Sequence, residues 1–407
     1  GQNFLPKPGT AMHRHPPCPV DDHIEAIALA RLILAPEIHL QAPPNLGDDL
    51  ARLLDAGIDD WGGVSPVTAD HVNPERPWPS LERLRSETEA AGFVLAPRLT
   101  IHPEWAAEPE RWIDESLRFA VMDRSDAECL GRDDPGAVFP ERIAASTNAG
   151  TGADVVVLGT PGATSTAWYS GTPTSPPVLI GSPDGVAGSG PVGKGATAGR
   201  HRGRVAEVLD GVLAGQEVGS DEIVALFTAR GPEVTAVAEV ADELRRRAVG
   251  DDVTFVRNRN INYTNVCTFK CRFCGFSKGP QSLNLRGTPY LLTLEDLQQR
   301  TIHAWRAGAT EVCLVGGIHP SFDGEYYLDV CRAVKDVVPE MHVHAFTALE
   351  VTEGARRLGE PLDNYLRRLM DAGLRSLPGT AAEILDDDVR AVLCPDKIST
   401  EEWLEAH

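Results

Sequence analysis

A chain of 407 residues, 42% hydrophobic and 24% charged, has a globular composition and enough length for two or three domains that each bury a core. Its formal net charge of -21, with no concentrated Lys/Arg face, argues against nucleic acid as a partner. No run of about 18 apolar residues is present, so no membrane partner is expected and the cytoplasm is the default compartment.

The pattern then divides into three regions. From residue 1 to about 124, short apolar runs alternate with amphipathic helices: a helix at 24–34, a strand at 38–41, a helix at 48–56 and a short strand at 58–61. A further helix at 80–91 has Ser80 as its N-cap and Glu82 in its first turn. From 125 to 204 the composition shifts to Gly, Ala, Ser, Thr and Pro with few charges. Such a segment buries too little apolar surface to offset backbone ordering, so it reads as a flexible linker, with one short strand at 155–158.

From 205 onward, helices at 221–229 and 233–248 precede a strand at 253–257. Helices at 294–307, 326–338 and 362–372 then alternate with strands at 311–315, 342–346 and 374–377. Strand-helix repetition of this kind predicts an α/β fold, a parallel (β/α) barrel with its chemistry on loops after the strand C-termini. The first and last residues, Gly1-Gln2-Asn3-Phe4 and Leu404-Glu405-Ala406-His407, read as the ends of an internal piece of a longer chain.

The eight cysteines, at 18, 129, 267, 271, 274, 313, 331 and 394, form no disulfide framework. Three of them are clustered as Cys267-Thr268-Phe269-Lys270-Cys271-Arg272-Phe273-Cys274, a C-x3-C-x2-C loop after the β-run Asn260-Ile261-Asn262-Tyr263. Three thiolates can each hold one corner of an iron-sulfur cubane and leave the fourth iron open to a small-molecule ligand. Structural zinc wants a fourth Cys or His at short spacing, and none is nearby. A redox-active C-x2-C pair leaves Cys267 without a role.

The cysteine spacing, with Phe273 before the last Cys, resembles the radical S-adenosylmethionine (SAM) superfamily. The string Asn258-Arg259-Asn260-Ile261-Asn262-Tyr263-Thr264-Asn265-Val266-Cys267 resembles a narrower group, the CofH subunit of FO synthase, as do Gly316-Gly317-Ile318-His319-Pro320 and Ser376-Leu377-Pro378-Gly379-Thr380. This match runs from about 221 to 407. Upstream, Lys7-Pro8-Gly9-Thr10-Ala11-Met12, Gln41-Ala42-Pro43-Pro44-Asn45-Leu46 and Asp59-Asp60-Trp61-Gly62-Gly63 resemble the last third of the CofG subunit, which precedes CofH in fused family members.

The resemblance implies a 4Fe-4S cluster on Cys267, Cys271 and Cys274, with S-adenosyl-L-methionine as cofactor near Phe273, Gly316 and Gly317. It implies a transferase that joins L-tyrosine to 5-amino-6-(D-ribitylamino)uracil, fused to a lyase that closes the deazaflavin ring of 7,8-didemethyl-8-hydroxy-5-deazariboflavin. An electron donor such as ferredoxin or flavodoxin is implied as a partner. Tyr263, His319, His344 and Glu350, on expected loops or strand ends, are candidates to bind substrate or relay protons, with Asn45, Asp60 and Trp61 as counterparts in the CofG-like part. A satisfied structural polar residue is the competing reading for each, as is a plain strand-to-loop turn for the two glycines.

Two departures follow. The CofG-like part has no C-x3-C-x2-C, and the CofH-like part has four of the roughly eight strands that close a barrel. The expected architecture is therefore two partial radical SAM TIM-like barrels joined by a flexible linker: 1–124, 125–204 and 205–407. Being complementary portions of similar folds, the two could also dock into one hybrid barrel. A futalosine-route menaquinone radical SAM enzyme and a non-catalytic metal-binding fragment are the competing functions.

Overall fold

The computed structural model describes residues 3–47, 49–65, 72–73, 75–132, 203–277 and 289–407. Most of the expected linker, including the strand expected at 155–158, lies outside the described residues.

The N-terminal segment forms α1 (Val20–Ile33), α2 (Leu50–Asp55), β1 (Asp60–Val64), α3 (Leu81–Ala90) and β2 (Val94–Arg98), then the short α4 (Pro103–Ala106) and α5 (Pro109–Trp112) and α6 (Glu115–Arg124). Ser80 does cap α3, accepting from the Arg83 backbone N–H at 3.2 Å. The strand expected at 38–41 is reduced to one bridge, Gln41 to Asp60. β2 was not expected, because Pro97 interrupts its pattern.

After residue 203 come α7 (Arg204–Leu213), α8 (Ser220–Leu226), α9 (Pro232–Val249) and β3 (Asp252–Ile261). Then follow α10 (Leu294–Arg306), β4 (Glu311–Leu314), α11 (Gly324–Val337), β5 (His342–Ala345), α12 (Ala348–Leu358), α13 (Leu362–Ala372), β6 (Leu374–Ser376), α14 (Asp387–Leu393) and α15 (Thr400–Ala406). Capping boxes start three of these helices: Thr293 with Asp296, Thr347 with Glu350, and Ser399 with Glu402.

β3 organises the sheet. Its ten residues continue past the expected end at 257, and the two halves have different neighbours. The N-terminal half pairs in parallel with β1 and β2, and the C-terminal half pairs in parallel with β4, which leads on to β5 and β6. The CofG-like and CofH-like segments thus share one six-stranded parallel sheet. One edge each of β1 and β2, which would otherwise present unpaired backbone groups, is covered by β3.

Packing follows the same division. Ile24, Ile27 and Leu32 of α1 share a core with Val234, Val237 and Ala241 of α9 and with Val253 and Phe255 of β3. Each large aliphatic side chain so buried contributes about 1.5–3 kcal/mol, so this seam is a substantial part of what holds the segments together. A second core runs from Ile261 to Ala406 and joins Val312, Leu314, Val343 and Ala345 to helix residues such as Leu328, Val334 and Leu369.

Val253, Phe255 and Ile261 of β3, with Val312, Leu314, Val343 and Ala345, share one face of the sheet. By strict alternation the opposite face carries Val256, Asn258, Asn260, Glu311, Cys313, His342 and His344, the last six paired row by row across the strands.

Candidate iron-sulfur and cofactor site

The polypeptide leaving β3 forms the cysteine loop, and four other segments pin its backbone. Gly317 N–H donates to the Thr264 carbonyl at 2.9 Å and Thr268 N–H to the Ile318 carbonyl at 3.0 Å, which locks the loop to the turn after β4. Leu292 N–H donates to the Tyr263 carbonyl at 2.8 Å, and Arg272 N–H to the Leu393 carbonyl at 2.9 Å. From the N-terminal segment, Met12 N–H donates to the Arg272 carbonyl at 3.4 Å.

Cys267, Cys271 and Cys274 form no disulfide and are half-buried on this loop, where Ser277 N–H donates to Cys274 Sγ at 3.4 Å. Burial pushes the Cys267 and Cys271 thiols up, and the neighbouring cysteine charges add to it. Lys397 opposes the rise at Cys271 and is itself held by Glu383 at 2.6 Å. A bound cation is what makes such crowded thiols ionise.

The donor set, three thiols on one fixed loop, fits an iron-sulfur group.

Gly316 and Gly317 sit against this loop. A Cβ at Gly317 would collide with the Val266 carbonyl oxygen and stand 3.0 Å from the Cys267 Cβ, while one at Gly316 would lie 2.6 Å from the Tyr263 ring. Both glycines are therefore demanded by close packing on the cysteine loop.

Tyr263 and Glu350 are wholly buried. The Tyr263 hydroxyl donates to Glu350 Oε1, which also accepts from Gly316 N–H at 3.2 Å, while Oε2 accepts from Thr347 N–H at 2.6 Å. One carboxylate thus ties together the ends of β3, β4 and β5. Burial raises its pKa, against the pull of these hydrogen bonds. Glu350 is not on a loop as expected but in the first turn of α12, where its capping box with Thr347 holds it. The capping signature Thr347-Ala348-Leu349-Glu350 was there to be read in the sequence.

The two histidines are placed differently. His344 lies within β5 on the polar sheet face, with Nδ1 2.7 Å from Ser376 Oγ. His342 Nε2 is 2.8 Å from the same oxygen, and burial lowers its pKa to about 4. His319 is on the loop after β4, turned toward Ser321 at 2.7 Å and packed on Phe322. The ring of Phe273 faces Lys397, 5.6 Å from the ammonium. Cysteines, glycines, Tyr263 and Glu350 therefore converge at the strand ends, with His344 on the sheet face below them.

The CofG-like candidates are structural in setting. Asp60 accepts from Arg98 Nε at 2.5 Å and from the Thr254 hydroxyl, all buried. Trp61 is core, its Nε1 donating to Thr88 Oγ1 at 3.2 Å, and Asn45 donates to the Arg76 carbonyl at 3.0 Å. Sequence reasoning missed Lys397, which no local pattern links to the cysteines. It also missed the pair in which Asn258 Nδ2 donates to Glu311 Oε1 at 2.5 Å. Polar residues recurring every second position in a central parallel strand were the available signal.

A parallel α/β sheet with a three-thiol loop at its strand ends defines a class, and residues 261–407 match the Radical SAM superfamily. The superfamily that this segment matches uses SAM and an iron-sulfur cluster. Over 99% of its length the chain is similar to FO synthases: 42% identical over 415 residues to that of Streptomyces coelicolor, and 40% over 422 residues to that of Mycobacterium tuberculosis. It covers 46% and 47% of those proteins, so the chain spans about half the length of the curated relatives it matches. It is also 46% identical over 166 residues, 41% of this chain and 46% of the relative, to the 5-amino-6-(D-ribitylamino)uracil--L-tyrosine 4-hydroxyphenyl transferase of Archaeoglobus fulgidus. Among solved structures, methylornithine synthase shares 18% identity over 42% of this chain and 57% of its own, with a TM-score of 0.29.

Proposed function

We propose that this chain is a portion of an FO synthase, divided as 1–124 from the CofG part, 125–204 as linker and 205–407 from the CofH part. In this reading Cys267, Cys271 and Cys274 hold three corners of a 4Fe-4S cluster, and S-adenosyl-L-methionine takes the fourth. When bound, the cluster supplies the electron for reductive cleavage of SAM. The observation that carries the proposal is the half-buried thiol triad on a loop pinned from four directions at the sheet's C-terminal end.

The residues have distinct tasks. The loop's backbone hydrogen bonds hold the sulfurs in place before any ligand arrives, which lowers the ordering cost of binding. Gly316 and Gly317 let the turn after β4 approach the cysteines, and Phe273 lies between two ligands in the loop. Tyr263 and Glu350 are positioning residues in this reading: they are buried away from substrate and fix the Gly316 N–H. His344, with His342 and Ser376, belongs to the polar sheet face that would receive L-tyrosine or 5-amino-6-(D-ribitylamino)uracil. The Ser376 hydroxyl has one proton for two imidazoles, so one histidine must donate to it while the other accepts. His319, on the rim, is a candidate to meet the substrate or the electron donor, a ferredoxin or flavodoxin.

Among the described residues no helix is long and apolar enough to cross a membrane, which is compatible with work in the cytoplasm. The test is anaerobic reconstitution of the chain, followed by incubation of the full-length parent with both substrates, SAM and a reductant. A fluorescent deazaflavin product supports the reading. A reconstituted parent that yields none removes it.

A further inference from the structure

A second group of metal-ligating side chains lies in the CofG-like segment and takes no part in the cysteine site. His39, just before the Gln41 bridge, is stacked face to face on His102 of the loop after β2, with ring centroids 3.6 Å apart and planes 4° from parallel. Glu104 places Oε1 2.6 Å from His39 Nε2. One nitrogen from each ring and one Glu104 oxygen all lie within 4.8 Å of one another, the only such trio among the described residues.

The surroundings prepare this trio for a cation. Asp59 is buried and fully engaged. Its Oδ1 accepts from Leu40 N–H at 2.7 Å and faces Arg31 at 3.2 Å, while its Oδ2 lies 2.8 Å from His39 Nδ1. The Asp59 carboxylate therefore takes the Nδ1 proton and leaves Nε2 to point at Glu104. A bare imidazole nitrogen and a carboxylate oxygen 2.6 Å apart are two acceptors, which only a shared positive charge reconciles.

His102 is the independent observation. It is only 7% exposed, yet its Nδ1 has no hydrogen-bond partner. A proton shared by His39 and Glu104 would satisfy those two and leave His102 unexplained. An ion held by all three accounts for the whole group. A carboxylate behind a ligating histidine is the usual outer shell of such an ion.

We propose that His39, His102 and Glu104 form a second metal site, for a divalent transition ion of the zinc class, with water in the fourth position. Two imidazoles and one carboxylate suit zinc, cobalt or nickel over calcium or magnesium, which want oxygen ligands only. The ion clasps the segment before β1 to the loop after β2, joining residues 65 apart in the chain. It belongs to the CofG-like segment and needs none of the three cysteines.

The test uses the full chain with its cluster reconstituted anaerobically, titrated with Co2+ and, separately, Zn2+. One ion per chain should bind beyond the cluster iron, with the d–d bands of a nitrogen-oxygen site, and it should bind equally to the triple variant Cys267→Ala, Cys271→Ala, Cys274→Ala. Glu104 is exposed, so Glu104→Ala keeps the fold and should weaken binding at least tenfold. Asp59→Asn should weaken it about 10–100-fold through the outer shell, and His39→Gln should abolish it. No ion beyond the cluster, or affinity unchanged in both Glu104→Ala and His39→Gln, overturns the proposal.

Discussion

The two halves of β3 place polar residues in the sheet in opposite ways. Beside its N-terminal half, Asp60, Arg98 and Thr254 satisfy one another in a closed, buried cluster that sews β1 and β2 to the strand. Beyond its C-terminal half, three thiols are half-buried on a loop whose backbone is tied to four other segments, and the Cys274 sulfur accepts from Ser277 N–H at 3.4 Å. Polar groups that exhaust each other's hydrogen bonds make architecture. Those held rigid but left unfinished make a site.

The largest effect expected from this contrast is at the closed cluster. Arg98→Leu strands the Asp60 charge in the interior and should cost about 3–5 kcal/mol, read as a drop in the urea midpoint. A loss below about 1 kcal/mol would mean that water reaches Asp60 and that the cluster is not closed.

His342 gives a pH test on the polar face. Its folded pKa, about 4, lies below the ordinary histidine value, so the unfolded chain binds the proton first as pH falls. The neutral ring's contribution is fully present above about pH 6.5 and is lost progressively down to about pH 4, by roughly 3 kcal/mol in all. The difference in stability between the native chain and His342→Gln should shrink over that window. A difference that stays constant with pH would show that His342 is solvated.

Gly317→Ala puts a methyl group into the Val266 carbonyl and should cost about 1–3 kcal/mol, together with a lower iron content after reconstitution. Tyr263→Phe removes one of the donors to Glu350 and should cost about 1–2 kcal/mol. Its sharper readout is weaker SAM binding at unchanged iron content, since Tyr263 acts on the Gly316 turn through Glu350. Iron loss in Tyr263→Phe equal to that in Gly317→Ala would place Tyr263 with the cysteine loop instead.

After residue 290 the strands and the helices at 294–307, 326–338 and 362–372 were legible to within a few residues, because caps such as Thr293 and Asp323 and the apolar periodicity agree there, whereas α12 was not expected. The cysteine loop was legible from spacing alone. What escaped was non-local. Nothing near Asp60 announces Arg98, 38 residues away, and nothing near Cys271 announces Lys397. β2 was hidden by Pro97. The shared sheet was foreseen only as an alternative to separate barrels, because the choice rests on edge pairing and on the α1–α9 seam, which sequence patterns do not encode.

The central claim is tested most directly by anaerobic iron and sulfide analysis of the reconstituted chain and of Cys271→Ala, with electron paramagnetic resonance of the reduced samples before and after SAM. Four irons per native chain, a reduced-cluster signal altered by SAM, and loss of both in Cys271→Ala are the expected result. One zinc-class ion on the thiols, or a cluster signal indifferent to SAM, would contradict it.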